Sequence, residues 1–159
     1  MSLRAYAEIN LHITWHVKDD NPMLTDMIEA QTHRFLRDRV ASTPGAIFHE
    51  VGGTDDHIHL VASLPPNELI SGWIGKLKGA SSHFINQEIA NRKVLQWQAG
   101  YGVVVFGTKD LPWVVDYVRN QRKRHREGKT FDRLERTEAD EAEGEKGEDE
   151  QTGQGPAVG

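Results

Sequence analysis

The chain has 159 residues, with 19 Lys and Arg, 24 Asp and Glu, and no cysteine. That length suits one domain with its own core, and the lack of cysteine excludes disulfide frameworks, thiolate metal sites and cysteine nucleophiles. No apolar run reaches the 18 residues that a membrane helix needs, so the composition predicts a cytoplasmic protein without a membrane partner.

Charge is spread unevenly along the chain. Residues 131–159 contain ten acidic and three basic side chains, whereas residues 1–130 contain 14 acidic and 16 basic ones. The acidic segment is rich in Glu and Gly, so it cannot bury enough apolar surface to offset the entropy lost on ordering. We therefore predict one domain over residues 1–130 and an acidic tail over residues 131–159, disordered from about Thr137.

Hydrophobic periodicity predicts the elements of the domain. Alternation indicates a first strand over residues 8–17, with His12 facing outward, and a helical period follows Thr25 as far as Pro44-Gly45. The remaining expected elements are strands at 46–51 and 56–64, a helix at 67–89, strand-like runs at 94–98 and 101–107, and a helix at 109–128. Short connections fit this order to an α+β fold, a ferredoxin-like antiparallel sheet with helices packed on one face.

Two histidines lie on the same face of the third predicted strand. Side chains alternate along a strand, so His57 and His59 point together, with Cα atoms roughly 6.6 Å apart. Ring nitrogens at that separation can lean onto one cation. The pair is a candidate for half of a metal site, although a polar outer face would give the same pattern.

The last predicted helix carries groups that complement this pair. Trp113, Tyr117 and Gln121 are four residues apart and therefore stack along one side of the helix. Tyr117 offers a phenol, and Gln121 offers an amide oxygen as a candidate third ligand. A basic cluster suited to phosphates follows in the same helix.

Three blocks of sequence occur in a recognisable order. They are His57-Ile58-His59, Trp97-Gln98-Ala99-Gly100-Tyr101-Gly102 and Tyr117-Val118-Arg119-Asn120-Gln121. In these blocks, and from about Ile9 to Gly128, the chain resembles the single-tyrosine transposases of the HUH endonuclease superfamily. These are the small transposases of the shortest bacterial insertion sequences, with REP-associated tyrosine transposases as relatives.

The resemblance implies a function and a set of site residues. His57, His59 and Gln121 would bind a divalent ion, magnesium or manganese, and Tyr117 would be the nucleophile. Such enzymes cleave single-stranded DNA at hairpin ends of a mobile element through a 5′-phosphotyrosine, and they act as homodimers. Candidate phosphate contacts are Lys76, Lys78, Arg119, Arg122, Lys123 and Arg124.

Other families share parts of the pattern. Histidine-triad hydrolases need a third His where this chain has Val61, and two-motif His-x-Thr/Ser phosphoesterases need a second copy of His12-Ile13-Thr14, which is absent. A non-catalytic alternative remains, in which a domesticated relative binds single-stranded nucleic acid on Trp97 and Tyr101 as stacking platforms.

Overall fold

The computed structural model of the protein describes residues 5–137. Its strands are β1 Asn10–His16, β2 Ile47–Gly53, β3 His57–Ser63 and β4 Gly102–Phe106. Its α-helices are α1 Asp26–Ala41, α2 Ile70–Phe84, α3 Leu111–Arg119, α4 Gln121–Arg126 and α5 Asp132–Glu135. A π-helical turn, Ile85–Ile89, continues α2, and short 3-10 turns occur at Lys18–Asp20 and Thr108–Asp110.

The four strands form one antiparallel sheet. Their order is β2-β3-β1-β4, so the two central strands are β1 and β3. Because α1 connects β1 to β2 and α2 connects β3 to β4, the topology is ferredoxin-like. The predicted α+β class and sheet are confirmed.

The larger core lies between the sheet and the two crossover helices, α1 and α2. Alternate residues of the central strands point into it, as the alternating sequence pattern predicts. Its fully buried side chains include Leu11, Ile13, Trp15, Ile58, Leu60, Leu36, Val40, Ile74 and Leu77. This layer is the predicted arrangement of helices on one face of the sheet.

The opposite face of the sheet carries the histidines, and it is also covered. A second, smaller cluster packs there, formed by Val61, Val114, Tyr117, Val118 and Leu134 from β3, α3 and α5. The helices after β4 therefore form a third layer, which the sequence pattern did not predict. This layer turns the expected polar outer face into an interior.

Close approach of α3 to the sheet depends on Gly52. A Cβ atom at this position would lie 2.1 Å from the carbonyl oxygen of Val118, so the backbones of β2 and α3 pack directly against each other. No larger residue fits this contact without displacing α3.

Two predicted elements differ from the structure. Residues 94–98 form no strand: Trp97 makes one isolated bridge with Val17, and the Asn86 side-chain oxygen accepts the backbone N–H groups of Val94 and Leu95. The last helix is two helices, because Asn120 has φ −103° and ψ 26° between α3 and α4.

The first residues of the predicted acidic tail contact the rest of the domain. Residues 131–137 belong to the domain, since α5 places Leu134 in the smaller core and Phe131 against the ring of Trp113. Two apolar residues of this charged segment thus contact the domain. The rest of the predicted tail lies outside the described residues. Within residues 5–137, no helix has the length and apolar character needed to span a bilayer.

Candidate metal and nucleophile site

The two histidines of β3 are buried, not solvated. His57 is 2% exposed and His59 is fully buried, both beneath the layer formed by α3, α4 and α5. Their rings lie 4.9 Å apart between centroids. The predicted pairing on one face is therefore observed, in an interior where polar groups need partners.

His57 is oriented by the loop that precedes β3. Its Nδ1 lies 2.6 Å from the Asp56 carboxylate and 2.9 Å from the Thr54 hydroxyl, which leaves Nε2 to face the site. Burial alone would lower the pKa of His57, but the hydrogen bond to Asp56 and the negative charge of Glu135 outweigh it, so the pKa is raised. The hydrogen bond with His57 lowers the pKa of Asp56 to about 2.

His59 is oriented by His12, which was predicted to face outward. His12 is 1% exposed, because it shares the covered face of the sheet, and its Nε2 lies 2.7 Å from Nδ1 of His59. Burial lowers the pKa of His12 to about 3 and that of His59 to about 4. Both rings are thus neutral at pH 7, the state in which imidazole binds a metal.

Gln121 reaches the histidines from the first turn of α4. The side-chain nitrogen of Gln121 donates to the carbonyl of Tyr117 at 3.2 Å, which turns its Oε1 toward Nε2 of His57 at 3.3 Å. The structure therefore brings the three predicted ligands His57, His59 and Gln121 together.

Two further groups at this site were not predicted. Nε2 of His125 lies 3.0 Å from Oε1 of Gln121, and Oε2 of Glu135 lies 3.1 Å from Nε2 of His59. The sequence spacing could have identified His125, since it is four residues after Gln121 and on the same side of the helix. No sequence spacing identifies Glu135, because its neighbours in the sequence are typical of an acidic tail.

The convergent atoms fit a bound cation. One ligand atom from each of His57, His59, His125 and Glu135 lies within 4.8 Å of the others. Ligands about 2.0–2.2 Å from a metal lie roughly 3.0–3.5 Å from their neighbours, and the contacts above span that range. Nε2 of His57 lies 3.3 Å from Oε1 of Gln121. A proton on Nε2 satisfies this contact, and a bound cation would take the place of that proton.

Tyr117 lies beside the same atoms in the same chain. Its hydroxyl donates to Oε1 of Glu135 at 2.5 Å and accepts the backbone N–H of Phe131 at 2.9 Å. Its ring stacks on Trp113 and meets the edge of His59 at 6.1 Å. Burial and the hydrogen bond to Glu135 raise the pKa of Tyr117 to about 12, so the phenol is protonated.

Glu135 links the phenol to the imidazoles. Burial alone would raise its pKa, but the hydrogen bond with His59 and the nearby charges lower it to about 2. A carboxylate thus stays ionised at the centre of the site. Its two oxygens bind the candidate nucleophile on one side and a candidate ligand on the other.

Among the predicted phosphate contacts of the last helices, three make intramolecular contacts. Arg119 forms an ion pair with Glu50 at 2.9 Å, and Arg122 pairs with Glu29. The Arg124 guanidinium lies over the Tyr117 ring, 4.8 Å from its centroid, in a cation–π contact.

The other three candidate phosphate contacts lie in different surroundings. Lys123 is exposed on α4, close in sequence to the site, and Lys76 is exposed on α2, which packs on the opposite face of the sheet. The Lys78 ammonium donates to the carbonyls of Gln98 and Gly100, at 2.8 and 2.7 Å. Lys78 therefore holds the loop before β4 in place.

The proposed stacking platform at Trp97 is not an open ring. Trp97 packs edge-on against the buried Trp15, 5.8 Å between centroids, and its indole N–H donates to Ser81. Tyr101 also packs against the larger core as a partly buried residue. Neither side chain forms the flat exposed surface on which a base stacks.

Comparison with known proteins gives the family. Residues 5–121 match the family described as "Transposase IS200 like". The curated transposases for insertion sequence element IS200 from Salmonella typhimurium and Salmonella typhi are each 32% identical over 71 residues, 42% of this chain and 46% of theirs. The match thus spans about half the length of these relatives.

Solved structures share the fold. A candidate transposase from Deinococcus radiodurans has a TM-score of 0.59 at 21% identity, covering 76% of this chain and 96% of that one. A REP-associated tyrosine transposase bound to a REP hairpin has a TM-score of 0.56 at 16% identity, covering 82% of this chain and 75% of that one. With the family match over residues 5–121 and the histidine pair, phenol and amide in one site, the chain belongs to the IS200-like transposase family.

Proposed function

We propose that this protein cleaves and rejoins single-stranded DNA, with Tyr117 as the nucleophile beside a divalent ion held by His57, His59 and Gln121. One observation carries the proposal. The Tyr117 hydroxyl and Nε2 of His59 bind the two oxygens of a single carboxylate, 2.5 and 3.1 Å away. A phosphate group placed there would meet the phenol and the metal ligands at once.

The reaction conserves the energy of the phosphodiester bond. The Tyr117 oxygen forms a bond to phosphorus as the bond from phosphorus to the 3′ oxygen breaks. The phenol proton is lost and the departing 3′ oxygen gains one, which leaves a 5′-phosphotyrosine and a free 3′-OH. Attack of another 3′-OH on the phosphotyrosine reverses these changes, so rejoining needs no ATP.

The side chains of the site hold and orient the reacting groups. A divalent ion bound here would polarise the scissile phosphate as a Lewis acid and stabilise its developing charge. His12 and Asp56 orient the rings of His59 and His57, respectively, by hydrogen bonds to the Nδ1 atoms of those rings. Because imidazole ligands suit manganese better than magnesium, we expect manganese to support activity at least as well as magnesium.

The proposed substrate is a hairpin at the end of a mobile element. Support comes from the structural relative bound to a REP hairpin and from the basic side chains around α4. Arg124 lies over the Tyr117 ring, so it would be near a strand that enters the site, and Lys123 precedes it as an exposed residue of α4. Phosphate contacts of this kind position the nucleic acid without reading its bases.

We also propose that two copies of the chain associate. Strand β4 is an edge strand, and its residues Val103 and Val105 are 38% and 57% exposed. An apolar edge of this kind is a template for pairing with another strand. Light scattering of the purified chain should give twice the monomer mass, and Val105→Lys should reduce it to the monomer mass.

The test of cleavage is a covalent adduct on a labelled single-stranded oligonucleotide that carries the element's end. The DNA flanking the gene, searched for short imperfect hairpins, supplies the sequence. We expect an adduct with wild-type protein and manganese, none with Tyr117→Phe, and normal amounts with the matched control Tyr101→Phe. His57→Ala and chelator should each abolish the adduct. An adduct that survives Tyr117→Phe would refute the assigned nucleophile.

One observation favours a second candidate function, binding without cleavage. Tyr117 is fully buried, as a purely structural tyrosine would be. In that case wild-type protein and Tyr117→Phe would bind the hairpin equally and neither would form an adduct.

A further inference from the structure

The groups proposed to act on DNA are closed to solvent. Tyr117 and His59 are fully buried, and Gln121 and His57 are 1% and 2% exposed. A phosphodiester cannot contact any of them in this conformation. Residues 131–137, which we call the strap, contribute to this closure, because they pack on the sheet beside Tyr117 and the backbone N–H of Phe131 donates to the Tyr117 hydroxyl.

The strap is docked by specific contacts. Leu134 is 4% exposed in the smaller core, and Phe131 meets the Trp113 ring edge-on at 5.3 Å between centroids. At the far end, the strap backbone crosses β4 at Gly102, where an added Cβ would lie 1.8 Å from the carbonyl oxygen of Arg136. The strap therefore packs closely against β4, and only glycine at position 102 leaves room for its backbone.

Glu135 projects from the strap into the site. Its Oε1 lies 2.5 Å from the Tyr117 hydroxyl and 3.4 Å from Nε2 of His125, and its Oε2 lies 3.1 Å from Nε2 of His59 and 3.8 Å from Nε2 of His57. A carboxylate and a phosphodiester both present two oxygens that share one negative charge. Glu135 thus occupies the space between nucleophile and ligands that a scissile phosphate would need.

We propose that His125 and Glu135 complete a cation site of three imidazoles, an amide and a carboxylate, and that the substrate phosphate enters by displacing Glu135 with the strap. The ligand assignment stands on the described contacts alone, whereas the displacement rests on the proposed function. Four of the five ligands lie on β3 and α4, so the cation stays bound when the fifth leaves.

Cobalt(II) titration of the full chain without DNA tests the ligand assignment. Cobalt reports its donors through visible absorption bands, so the readout needs no activity. We expect Glu135→Gln and His125→Asn each to weaken cobalt binding at least ~10-fold. Loss of a residue that only hydrogen-bonds a metal ligand already lowers metal affinity by about this factor. Glu127→Gln is the control, because Glu127 lies on the exposed side and pairs with Lys129.

A second variant reaches the same result without changing a ligand. Gly102→Ala places a methyl group against Arg136, so it should unseat the strap, withdraw Glu135 and weaken cobalt binding as Glu135→Gln does. Far-UV circular dichroism checks that each variant is folded. Wild-type affinity in both Glu135→Gln and Gly102→Ala would overturn the ligand assignment.

The displacement is tested with the labelled oligonucleotide at saturating manganese. If Glu135 must leave before phosphate enters, Gly102→Ala should form the adduct severalfold faster than wild type. A slower reaction in Gly102→Ala would overturn the displacement, since the docked strap would then assist the chemistry. Failure of all variants to form an adduct would refute the proposed cleavage and the displacement together, while the cobalt comparison would still decide the ligands.

Discussion

Replacing Gly52 with alanine tests how α3 positions the candidate nucleophile. The added methyl carbon would lie 2.1 Å from the carbonyl oxygen of Val118. Because carbon–oxygen contacts are normally about 3.3–3.6 Å, the α3 backbone must retreat by at least roughly 1 Å. Overpacking of this size costs about 1–3 kcal/mol of unfolding free energy.

The same shift has a functional consequence. Tyr117 immediately precedes Val118, so its phenol should move by about 1 Å relative to His57 and His59. A displacement of that size in a reacting group costs on the order of 100-fold in rate. We therefore expect adduct formation by Gly52→Ala to fall by about that factor, even though every side chain of the site is retained.

Gly75→Ala is the matched control. Gly75 lies in the exposed part of α2, and within the described residues an added Cβ meets nothing closer than 4 Å. Alanine is the better helix former by about 1 kcal/mol, so this variant should be slightly more stable than wild type. Urea unfolding, monitored by circular dichroism, measures the unfolding free energies of Gly52→Ala and Gly75→Ala. A Gly52→Ala variant as stable as wild type would show that α3 is not seated as described.

Three further predictions concern histidines and a lysine. His12→Ala should weaken cobalt binding about 10–100-fold, because His59 loses the partner that fixes its ring, and unchanged affinity in the titration would contradict this. Burial and the Arg122 charge lower the pKa of His33 to about 4. Between pH 6.5 and pH 4, His33 is therefore protonated in the unfolded chain but not in the folded chain. The unfolding free energy consequently falls as the pH drops through this range. Urea unfolding at pH 7 and at pH 4.5 measures this loss of unfolding free energy, which should be smaller in His33→Gln than in wild type by roughly 1–3 kcal/mol. An equal loss in the two proteins would exclude a contribution from His33. Lys78→Met should lower the unfolding free energy by about 1–3 kcal/mol, because two loop carbonyls lose a charged donor; full stability with weaker hairpin binding would instead support the predicted phosphate contact.

Periodicity predicted the central strands and crossover helices because buried residues recur at every second position in a strand and at every third or fourth position in a helix. It failed at residues 94–98, which alternate like a strand. There the backbone N–H groups of Val94 and Leu95 bind the side-chain oxygen of Asn86 and not a neighbouring strand. A local pattern reports which side chains are buried, but it does not report where backbone hydrogen bonds go.

The candidate site was predicted only in part for a related reason. His57, His59, Tyr117 and Gln121 have regular spacing, so each could be placed on a face of its own element. Glu135 reaches the site through a contact that depends on the docking of Leu134, a single apolar residue in a charged segment. Such a contact is set by the tertiary fold, and no spacing in the sequence marks it.

The break at Asn120 divides the site into two mechanical parts. Tyr117 belongs to the helix before the break, and Gln121 and His125 belong to the helix after it. The carbonyl of Tyr117 is bound by the Gln121 side chain, a contact that tolerates rotation better than a helical backbone bond. A rotation at Asn120 would therefore move the Tyr117 phenol relative to Gln121 and His125 while both helices keep their own hydrogen bonds.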